Sequence, residues 1–391
     1  MKSVAETWQL IDRIATALPA EKRTLDACLG RVLASPIHAD ADQPPFDRSA
    51  IDGFALAEGS SAGTYRIAGS IEPGAAAIPE IGNNEAYRIF TGAEVPSKAA
   101  LVMVEDTEVQ GESVQTKKPA STSLIRRRAS SVRQGDCLLQ AGTQIGPGEI
   151  AVLASVGALE VDVIPPPRLL HLTTGSEVVP PEQTPGRGQI RNTNGPLIQA
   201  LAQQAGATIA APSHVDEQRQ SLVRAVETAD PFDVLLVSGG SSVGNHDNTP
   251  AAFEALGFEI LLHRVRVKPG KPLLIARRGQ QLAFGIPGNP VSHFASWHAF
   301  IRRAIHHLAG LPPVALQTAC LQSGAPLRSS DRETFWPAQL DIHEGILCAK
   351  PLSWLDSGAV SSLCGIQALL QIPAGDHRLT PGGSVVLLDC R

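Results

Sequence analysis

Residues 233–244 read Asp-Val-Leu-Leu-Val-Ser-Gly-Gly-Ser-Ser-Val-Gly, and this stretch decides the fold. The apolar run Asp233–Val237 predicts a short strand that is buried on both faces, as in a parallel sheet. The glycines and serines after it predict a loop whose backbone N–H groups and hydroxyls can approach an anion such as phosphate. A flexible strand–helix turn is the plainer alternative. A helix at Thr249–Leu256 is predicted to follow this loop.

The same order of strand, loop and helix extends on both sides of this stretch. Predicted strands and helices alternate at Arg168–Leu172, Asn194–Ala205, Thr208–Ala211, Glu217–Thr228, Leu282–Ile286 and in a long amphipathic helix that ends at Ala309. At the start of that long helix, Asn289 is predicted to cap and Pro290 to occupy the first position. Such alternation indicates a mostly parallel sheet covered on both faces, which binds ligands beyond the carboxyl ends of its strands.

The rest of the chain follows other patterns. Ser3 and Glu6 form a predicted capping box for an N-terminal helix that Pro19 ends, and a second short helix is predicted at Leu25–Leu33. Short apolar runs between Gly, Pro, Ser and Asn predict a β module over residues 46–131. From about Leu311 onward, short strands predict a small β-barrel or sandwich. The predicted domains are an N-terminal helix (1–19), a linking domain (20–45 and 132–165), the β module (46–131), the α/β domain (166–310) and the C-terminal barrel (311–391).

Composition narrows the class of protein. The 391 residues carry 33 Lys and Arg against 38 Asp and Glu, a net charge of −5, which argues against a nucleic-acid binder. No segment is long and apolar enough to span a membrane, and the six cysteines are too scattered for a zinc site or a disulfide framework. We therefore expect a cytoplasmic protein. The histidines and serines show no zinc-protease, serine-hydrolase or Walker pattern.

Charged residues lie beside the predicted loops. Lys268 and Lys271 flank the Pro269-Gly270 turn and can bind an oxyanion, although two lysines on a turn are more often simply solvated. Asp247 and Glu177 can hold Mg²⁺, which prefers carboxylate oxygens, or can instead cap a helix or a turn. Asp216 is by itself more typical of a helix cap.

The ordered set of motifs resembles the molybdopterin molybdotransferase family, which includes MoeA proteins and the E domain of gephyrin. The motifs are Pro44–Ala55, Thr91–Pro96, Val104–Glu108, Thr174–Glu177, Gln189–Asn194, Ser238–Gly244 with Asp247, Lys268–Pro272 and Gly285–Ser292. The resemblance implies a multidomain α/β plus β fold, with a mostly parallel sheet domain of the molybdopterin-binding type. It also implies a homodimer whose active-site cleft lies between the β module of one protomer and the sheet domain of the other.

The activity implied by the resemblance is insertion of molybdenum from molybdate into adenylylated molybdopterin, with release of AMP and assistance from Mg²⁺. The adenylyltransferase that supplies the pterin is a further expected partner. The implied catalytic residues are Asp52, Glu177, Asp247, Lys268 and Lys271, of which Glu177 and Asp247 hold the metal. The implied substrate-binding residues are Thr91, Thr174, Gly175, Asp216, Ser238, Gly239, Gly240, Ser241, Ser242, Gly244, Pro287, Gly288, Asn289 and Ser292. Glu217 could take the place of Asp216 with a shift of one residue.

The sequence departs from the family at one motif. The family continues an Arg-rich strand into Gly-Glu-Asp, whereas Arg126-Arg127-Arg128 is followed here by Ala129-Ser130-Ser131. Two negative charges are therefore missing, and Ser131 cannot replace a carboxylate as a base or a hard metal ligand. This departure supports an alternative hypothesis, that the chain is a catalytically degenerate molybdopterin-binding or carrier protein. A scaffold whose last domain binds another protein is a third hypothesis, without a motif of its own.

Overall fold

The structure is a computed structural model, and it describes residues 1–211, 213–216, 218–239, 248–322, 327–328, 331–354, 356–375 and 378–391. The chain divides into two compact units. The first contains Met1–Lys22, Gly30–Ala34 and Asp162–Arg391, and the second contains Arg23–Leu29 and Ser35–Val161. Within the described ranges, no helix combines the length and apolarity needed to cross a membrane.

The centre of the first unit is a seven-stranded mixed sheet. Its main strand order is Thr208–Ile209, Arg168–Thr173, Val234–Ser238, Gln281–Ile286, Leu274–Arg278 and Glu259–His263, with Ser213–His214 also paired to Arg168–Thr173. The first four strands are parallel. Leu274–Arg278 pairs antiparallel with Gln281–Ile286, and Glu259–His263 in turn pairs antiparallel with Leu274–Arg278. The predicted mostly parallel sheet is therefore confirmed, with an antiparallel edge that the sequence pattern did not indicate.

Helices cover both faces of this sheet. One core includes Val4 and Ile11 of the N-terminal helix together with Trp297 and Phe300 of the long helix. The core on the other face is closed by Phe253 and its neighbours. The helices of the first unit are Val4–Ile14, Asn194–Gln204, Arg219–Glu227, Thr249–Ala255, Pro290–Ser296 and Arg302–Leu308. Every residue of Val234–Ser238 is buried, as a strand covered on both faces requires.

The long helix contains an irregular turn in its middle. Its α-helical segments Pro290–Ser296 and Arg302–Leu308 are joined by a π-helical segment, Trp297–Ile301, which is buried throughout. Pro290 lies at the first helical position, as predicted. Asn289 occupies the N-cap position, but the predicted side-chain cap is absent. Its amide Nδ2 donates to Ser357 Oγ at 3.1 Å.

The N-terminal helix has the predicted capping box. Ser3 Oγ accepts from the Glu6 backbone N–H, and Glu6 accepts from the Ser3 backbone N–H at 2.7 Å. The helix ends at Ile14 rather than near Pro19. The second predicted helix, Leu25–Leu33, is wrong: the structure has a 3₁₀ turn at Leu25–Ala27 and a strand at Val32–Leu33.

The C-terminal part of the first unit contains a closed five-stranded barrel. The strands Glu333–His343, Ile346–Pro351, Leu316–Leu321, Ser384–Asp389 and Ala368–Ile372 pair in this order, and the last pairs again with the first. This confirms the predicted C-terminal barrel. Val267–Lys268 extends the sheet by pairing in parallel with Glu333–His343. Other short strands of this unit include Val32–Leu33, Val178–Val179, Ile190–Arg191, Leu327–Arg328 and Arg378–Leu379.

The second unit is mainly β structure, as predicted. Its six-stranded sheet has the order Ala99–Met103, Gly53–Ala57, Glu85–Ile89, Thr64–Ile71, Ser113–Thr116 and Thr107–Gln110. Small ladders join Arg48–Ser49 to Ile125–Arg126 and Ile37–His38 to Cys137–Leu139, and the helix Pro147–Ser155 follows them. Short 3₁₀ turns occur at Val104–Asp106 and Thr122–Leu124.

The turn at Ala129 is strained. Ala129 has a φ of +56°, which is in the left-handed region that glycine enters without the cost of a Cβ. The turn is held by hydrogen bonds from Ala129 N–H to Pro44 O at 3.0 Å and from Ser131 N–H to Gln43 O at 3.0 Å. The first position of the altered family motif is therefore occupied by alanine instead of glycine, and its left-handed backbone costs about 1–2 kcal/mol of stability.

We predict that Ala129→Gly leaves the stability of the second unit unchanged or raises it by up to about 1 kcal/mol. Relief of the left-handed strain offsets the greater entropy that glycine adds to the unfolded chain. The matched control is Ala62→Gly, at an exposed position outside the left-handed region, which lowers stability by about 0.5–1 kcal/mol. Denaturant unfolding of both variants checks this, and equal losses in the two would contradict it.

Candidate active site

A cavity of about 1320 Å³ lies in the first unit at the carboxyl ends of the parallel strands. The loops that follow Arg168–Thr173, Val234–Ser238 and Gln281–Ile286 all contribute to its wall. Parallel strands end at the same edge of a sheet, so the residues that follow them converge there. Among the predicted site residues, those that line this cavity are Thr174, Gly175, Glu177, Ser238, Gly239, Lys268, Lys271, Pro287, Gly288, Asn289 and Ser292.

Hydrogen bonds hold the three loops together. Thr174 N–H donates to Ser238 O at 2.9 Å, and Gly239 N–H donates to Ile286 O at 3.0 Å. Asn194 Nδ2 donates to Gly288 O at 2.8 Å, which ties the helix Asn194–Gln204 to the third loop. The cavity wall is therefore a connected backbone framework.

Gly239 and Gly270 are required by the framework. Gly239 has a φ of +101°, and a Cβ at this position would lie 2.7 Å from Thr174 Oγ1 and 2.8 Å from Thr174 O. Gly270, between the two lysines, has a φ of +100°, and its Cβ would lie 2.8 Å from the buried Ser296 Oγ. Neither position can accept a larger residue without displacing its loop.

A buried hydroxyl between two histidines lies at the end of the central strand. Ser238 Oγ is 2.6 Å from His171 Nε2 and 2.6 Å from His293 Nε2. His293 Nδ1 is 3.2 Å from Asn289 O, a carbonyl oxygen that can only accept. A neutral His293 therefore carries its proton on Nδ1 and accepts from Ser238 Oγ, while His171 donates from Nε2 to Ser238 Oγ. The hydroxyl hydrogen of Ser238 is thus directed into the protein.

Burial keeps both imidazoles neutral. Loss of solvent, with a smaller effect of His293 nearby, lowers the pKa of His171 to about 3. Burial lowers the pKa of His293 to about 4, against a smaller opposing effect of its bond to Asn289. The positive charge at the cavity wall therefore comes from lysine and arginine.

The two predicted lysines lie on a tight turn. The Lys268–Pro269 peptide bond is cis, and Leu273 N–H donates to Gly270 O at 3.1 Å. No carboxylate in the described part of the chain forms an ion pair with Lys268 or Lys271. Among the described residues, no acidic partner therefore competes with a ligand oxyanion for these two ammonium groups.

Glu177 is placed where a hard cation could be held. Its carboxylate folds over Gly175, so that a Cβ at Gly175 would lie 2.8 Å from Glu177 Oε2. Mg²⁺ usually takes only one or two protein carboxylates together with water and ligand phosphates, and Glu177 fits such a site. Within the described ranges, no group of three or more His, Cys, Asp or Glu side chains is arranged to hold a metal without a ligand.

Other predicted residues lie elsewhere. Asp216 is outside the cavity wall, where its carboxylate accepts from Gln218 N–H at 3.1 Å just before the helix Arg219–Glu227. The helix cap that the sequence suggested for Asp216 is not formed, because Gln218 occupies the N-cap position of that helix. Gly240, Ser241, Ser242, Gly244, Asp247 and Glu217 lie outside the described residues.

The second unit carries Asp52 and Thr91 as a bonded pair. The Thr91 backbone N–H and hydroxyl donate to Asp52 Oδ1 at 2.7 and 3.0 Å. These donors, the backbone group first, hold the pKa of Asp52 below its ordinary value. The carboxylate is ionised at neutral pH and oriented by its neighbour.

The arginine run of the second unit is largely paired inside that unit. Arg127 Nη1 lies 2.6 Å from Asp47 Oδ2, and Arg128 Nε lies 2.7 Å from Asp42 Oδ2. Asp47 lies within the Pro44–Ala55 motif that contains Asp52, and Asp42 lies just before that motif. Two of the three arginines therefore stabilise the strained turn at Ala129.

Sequence reasoning missed the contribution of the barrel. Trp336, Trp354, Asp356 and Ser357 line the same cavity but belong to no motif recognised in the sequence. Asn192 and Asn194 also line it, and they fall in the Gln189–Asn194 motif, which was a signal that the sequence already offered.

Comparison with known proteins identifies the family. The model of the MoeA N-terminal region, domains I and II, matches residues 2–157, and that of a probable molybdopterin binding domain matches residues 171–307. The chain belongs to the MoeA family. This confirms the resemblance seen in the motifs, and with it a role in molybdenum cofactor biosynthesis.

Individual relatives agree along the whole chain. A molybdopterin molybdenumtransferase of Staphylococcus aureus is 30% identical over 398 residues, covering 98% of this chain and 94% of its own. The enzyme of the same name from Bacillus subtilis is 33% identical, with coverage of 93% and 88%. The crystal structure of a molybdopterin biosynthesis MoeA protein from Pyrococcus horikoshii superposes with a TM-score of 0.84 at 26% identity, covering 100% of this chain and 99% of that one. The multidomain α/β plus β fold is thereby confirmed.

We predict that Gly270→Ala disrupts the lysine turn while the rest of the first unit folds. The new methyl group meets Ser296 Oγ, and the positive φ adds about 1 kcal/mol or more of strain. We expect at least a tenfold loss of AMP affinity in calorimetry, with a smaller loss when Ser296→Ala is added to remove the clash. Gly345→Ala, at a positive φ in an open turn of the barrel, is the control and should leave affinity unchanged.

We predict that stability falls as pH decreases from about 6.5 toward 4. Burial lowers the pKa of His171, His293 and His298 to about 3, 4 and 3, so these rings are neutral when folded and take up protons on unfolding. Their contribution to stability is complete above the pKa of an unfolded histidine, about 6.5, and is lost as the pH falls from there toward the folded pKa. Over this range the free energy of unfolding falls by about 1.4 kcal/mol per pH unit for each ring. Urea unfolding at pH 7.5 and 5.0 measures it. His298→Gln should reduce the pH dependence, whereas the exposed His343→Gln should not.

Proposed function

We propose that this chain is a molybdopterin molybdenumtransferase, which moves molybdenum from molybdate to adenylylated molybdopterin and releases AMP. The observation that carries the proposal is the cavity at the carboxyl edge of the sheet, where Lys268 and Lys271 meet a Gly-rich backbone framework. Relatives bearing this enzyme name match the chain over almost its full length.

The cavity suits a ligand with several parts. Ligand pockets for small molecules usually have volumes of about 300–1,000 Å³, and this one, at about 1320 Å³, has room for a pterin joined to a nucleotide. Its wall combines oxyanion-binding lysines with backbone and amide groups from three loops. Such a wall can hold a phosphoanhydride at one point and a heterocycle at another.

The residues of this chain would act mainly through charge and position. Lys268 and Lys271 bind the phosphate and molybdate oxyanions, and the framework around Gly239 and Gly288 holds the ligand against the sheet edge. Cleavage of a phosphoanhydride needs positioning and neutralisation of charge more than a covalent step. Water is excluded to the extent that the cavity closes around the ligand, which strengthens each charge contact.

Mg²⁺ fits the same site. Glu177 would hold it, and we propose Asp247 as a second ligand on the basis of the family motif. When bound, the ion supplies positive charge that offsets the charge developing on the phosphoryl oxygens.

We further propose a homodimer in which Asp52 and Thr91 of one protomer complete the site of its partner, as the family resemblance implies. The Thr91 donors keep the Asp52 carboxylate ionised and fixed in orientation, as a shared site requires. The molar mass of the purified chain in solution tests the assembly.

We predict that the purified chain releases AMP from adenylylated molybdopterin only when molybdate and Mg²⁺ are present. Lys271→Met should lower the rate by about 10- to 100-fold, because one charged oxyanion donor is removed. Lys350→Met, an exposed lysine on a barrel strand, is the matched control and should leave the rate unchanged. Binding of the pterin without any AMP release would contradict the proposal.

The same assay separates the enzyme from a degenerate carrier. The altered motif, Ala129-Ser130-Ser131, supports the carrier hypothesis because it lacks two carboxylates. If Ser130→Glu with Ser131→Asp creates turnover in a chain that otherwise only binds, the carrier is the correct function. If the unmodified chain already releases AMP, other residues replace those acids.

A further inference from the structure

An aromatic residue of the barrel lies beside one of the two site lysines. Trp354 is in the connection between the barrel strands Ile346–Pro351 and Ala368–Ile372, and it lines the active-site cavity. The Lys268 Nζ atom lies over its ring, 5.5 Å from the ring centroid. This is within the range at which an ammonium is attracted by an indole face.

The ring of Trp354 is held in place from two directions. Its Nε1 donates to Asp356 O at 2.9 Å, and Trp336 packs against it edge to face, with ring centroids 5.3 Å apart at 80°. Trp336 is itself fixed, because its Nε1 donates to Leu352 O at 3.0 Å. The two indoles form a rigid pair before any ligand is present.

The lysine and the ring are carried by paired backbone segments. Lys268 lies opposite Thr334 in the parallel ladder formed with Glu333–His343, the strand that also bears Trp336. The Trp354 connection is tied to the start of the helix that follows the third loop, because Val291 N–H donates to Ser357 O at 3.1 Å. The fold therefore holds the backbone segments that carry the ring and the lysine close to each other.

An aromatic partner differs from an acidic one in what it leaves available. A carboxylate would orient the ammonium but cancel its charge, whereas an indole face orients it and leaves the full charge and the N–H donors for a ligand. A solvated lysine loses side-chain entropy when it binds an anion, and a lysine already restrained by a ring loses less.

We propose that Trp354 is a positioning residue for Lys268, holding its ammonium toward an oxyanion in the cavity without neutralising it. The inference rests on the proposed function only in taking the ligand to be a phosphate- or molybdate-bearing anion. The alternative role of this ring is direct stacking on a flat ligand base, and the two roles differ in one respect. A positioning role disappears when Lys268 is removed, and a stacking role does not.

The experiment is a double-mutant cycle with AMP as the probe, read by calorimetry. Trp354→Leu should weaken AMP binding by about two- to fivefold, equivalent to about 0.5–1 kcal/mol. Trp354→Phe, which keeps an aromatic face, should restore most of that loss. In a Lys268→Met background, Trp354→Leu should have no further effect.

Trp8 provides the matched control. It also has a cation over its ring, Arg303 at 5.6 Å, and its Nε1 donates to a backbone carbonyl, but it does not line the cavity. Trp8→Leu should leave AMP affinity unchanged. Equal losses from Trp354→Leu with and without Lys268 would overturn the inference in favour of stacking, and an unchanged affinity in Trp354→Leu would overturn it outright.

A ligand-free measurement separates this inference from the proposed function. With lysines labelled by ¹³C-methylation, the Lys268 signal should be displaced by the ring current of Trp354 and return to the ordinary position in Trp354→Leu. Lys268→Met assigns the signal. A wild-type chain that does not bind AMP would defeat the proposed function, while the presence or absence of this displacement would still decide the contact.

Discussion

The burial of parallel strands on both faces is the constraint on which the site depends. Val234–Ser238 has no exposed residue, so polar groups that follow it along the chain can only gather at the edge where the strand ends. The neighbouring strands Arg168–Thr173 and Gln281–Ile286 run in the same direction and end at the same edge. Three polar loops are thereby brought together, and their mutual hydrogen bonds convert this edge into a cavity wall.

The charge at this wall is separated from the hydrogen-bonding framework beneath it. The framework is neutral, because Ser238 is held between two imidazoles that burial keeps uncharged. The positive charge comes from Lys268 and Lys271, which have no acidic partner among the described residues, and from Arg191 and Arg332, which also line the cavity. A wall of this kind attracts oxyanions strongly and has rigid neutral contacts for the rest of the ligand. This separation of charge from rigid neutral contacts suits phosphoryl transfer, in which positioning and charge stabilisation account for most of the catalysis.

The sequence predicted the parts of the fold that follow from local pattern. The apolar strands, their Gly-rich loops and the Pro-initiated helix were visible because burial and turn geometry restrict which residues can occur there. The antiparallel edge of the sheet could not be predicted, since strand direction depends on connections rather than on residue type. The π-helical turn at Trp297–Ile301 was equally hidden, because its residues are apolar like those of any buried helix.

The candidate site was predicted only where it is built from continuous motifs. Trp354 and Trp336 were missed, because their place in the cavity arises when the barrel closes, through contacts distant in sequence. Asp216 was assigned to ligand binding from the family motif, and in the structure its carboxylate is engaged by a backbone N–H two residues on. Local hydrogen bonding of this kind is common for aspartate before a helix. A ligand-binding role for Asp216 stays a prediction.

The neutral histidine pair has a consequence for how the protein responds to acidity. A phosphate monoester loses its second proton near pH 6, and many anion sites contain groups that titrate in the same range and obscure that event. Here the two imidazoles nearest the Gly-rich loop take up protons only at about pH 3 and 4. Between pH 5 and 8 these two imidazoles therefore stay neutral and add no titration of their own to ligand affinity, in the range where a bound phosphate changes its charge.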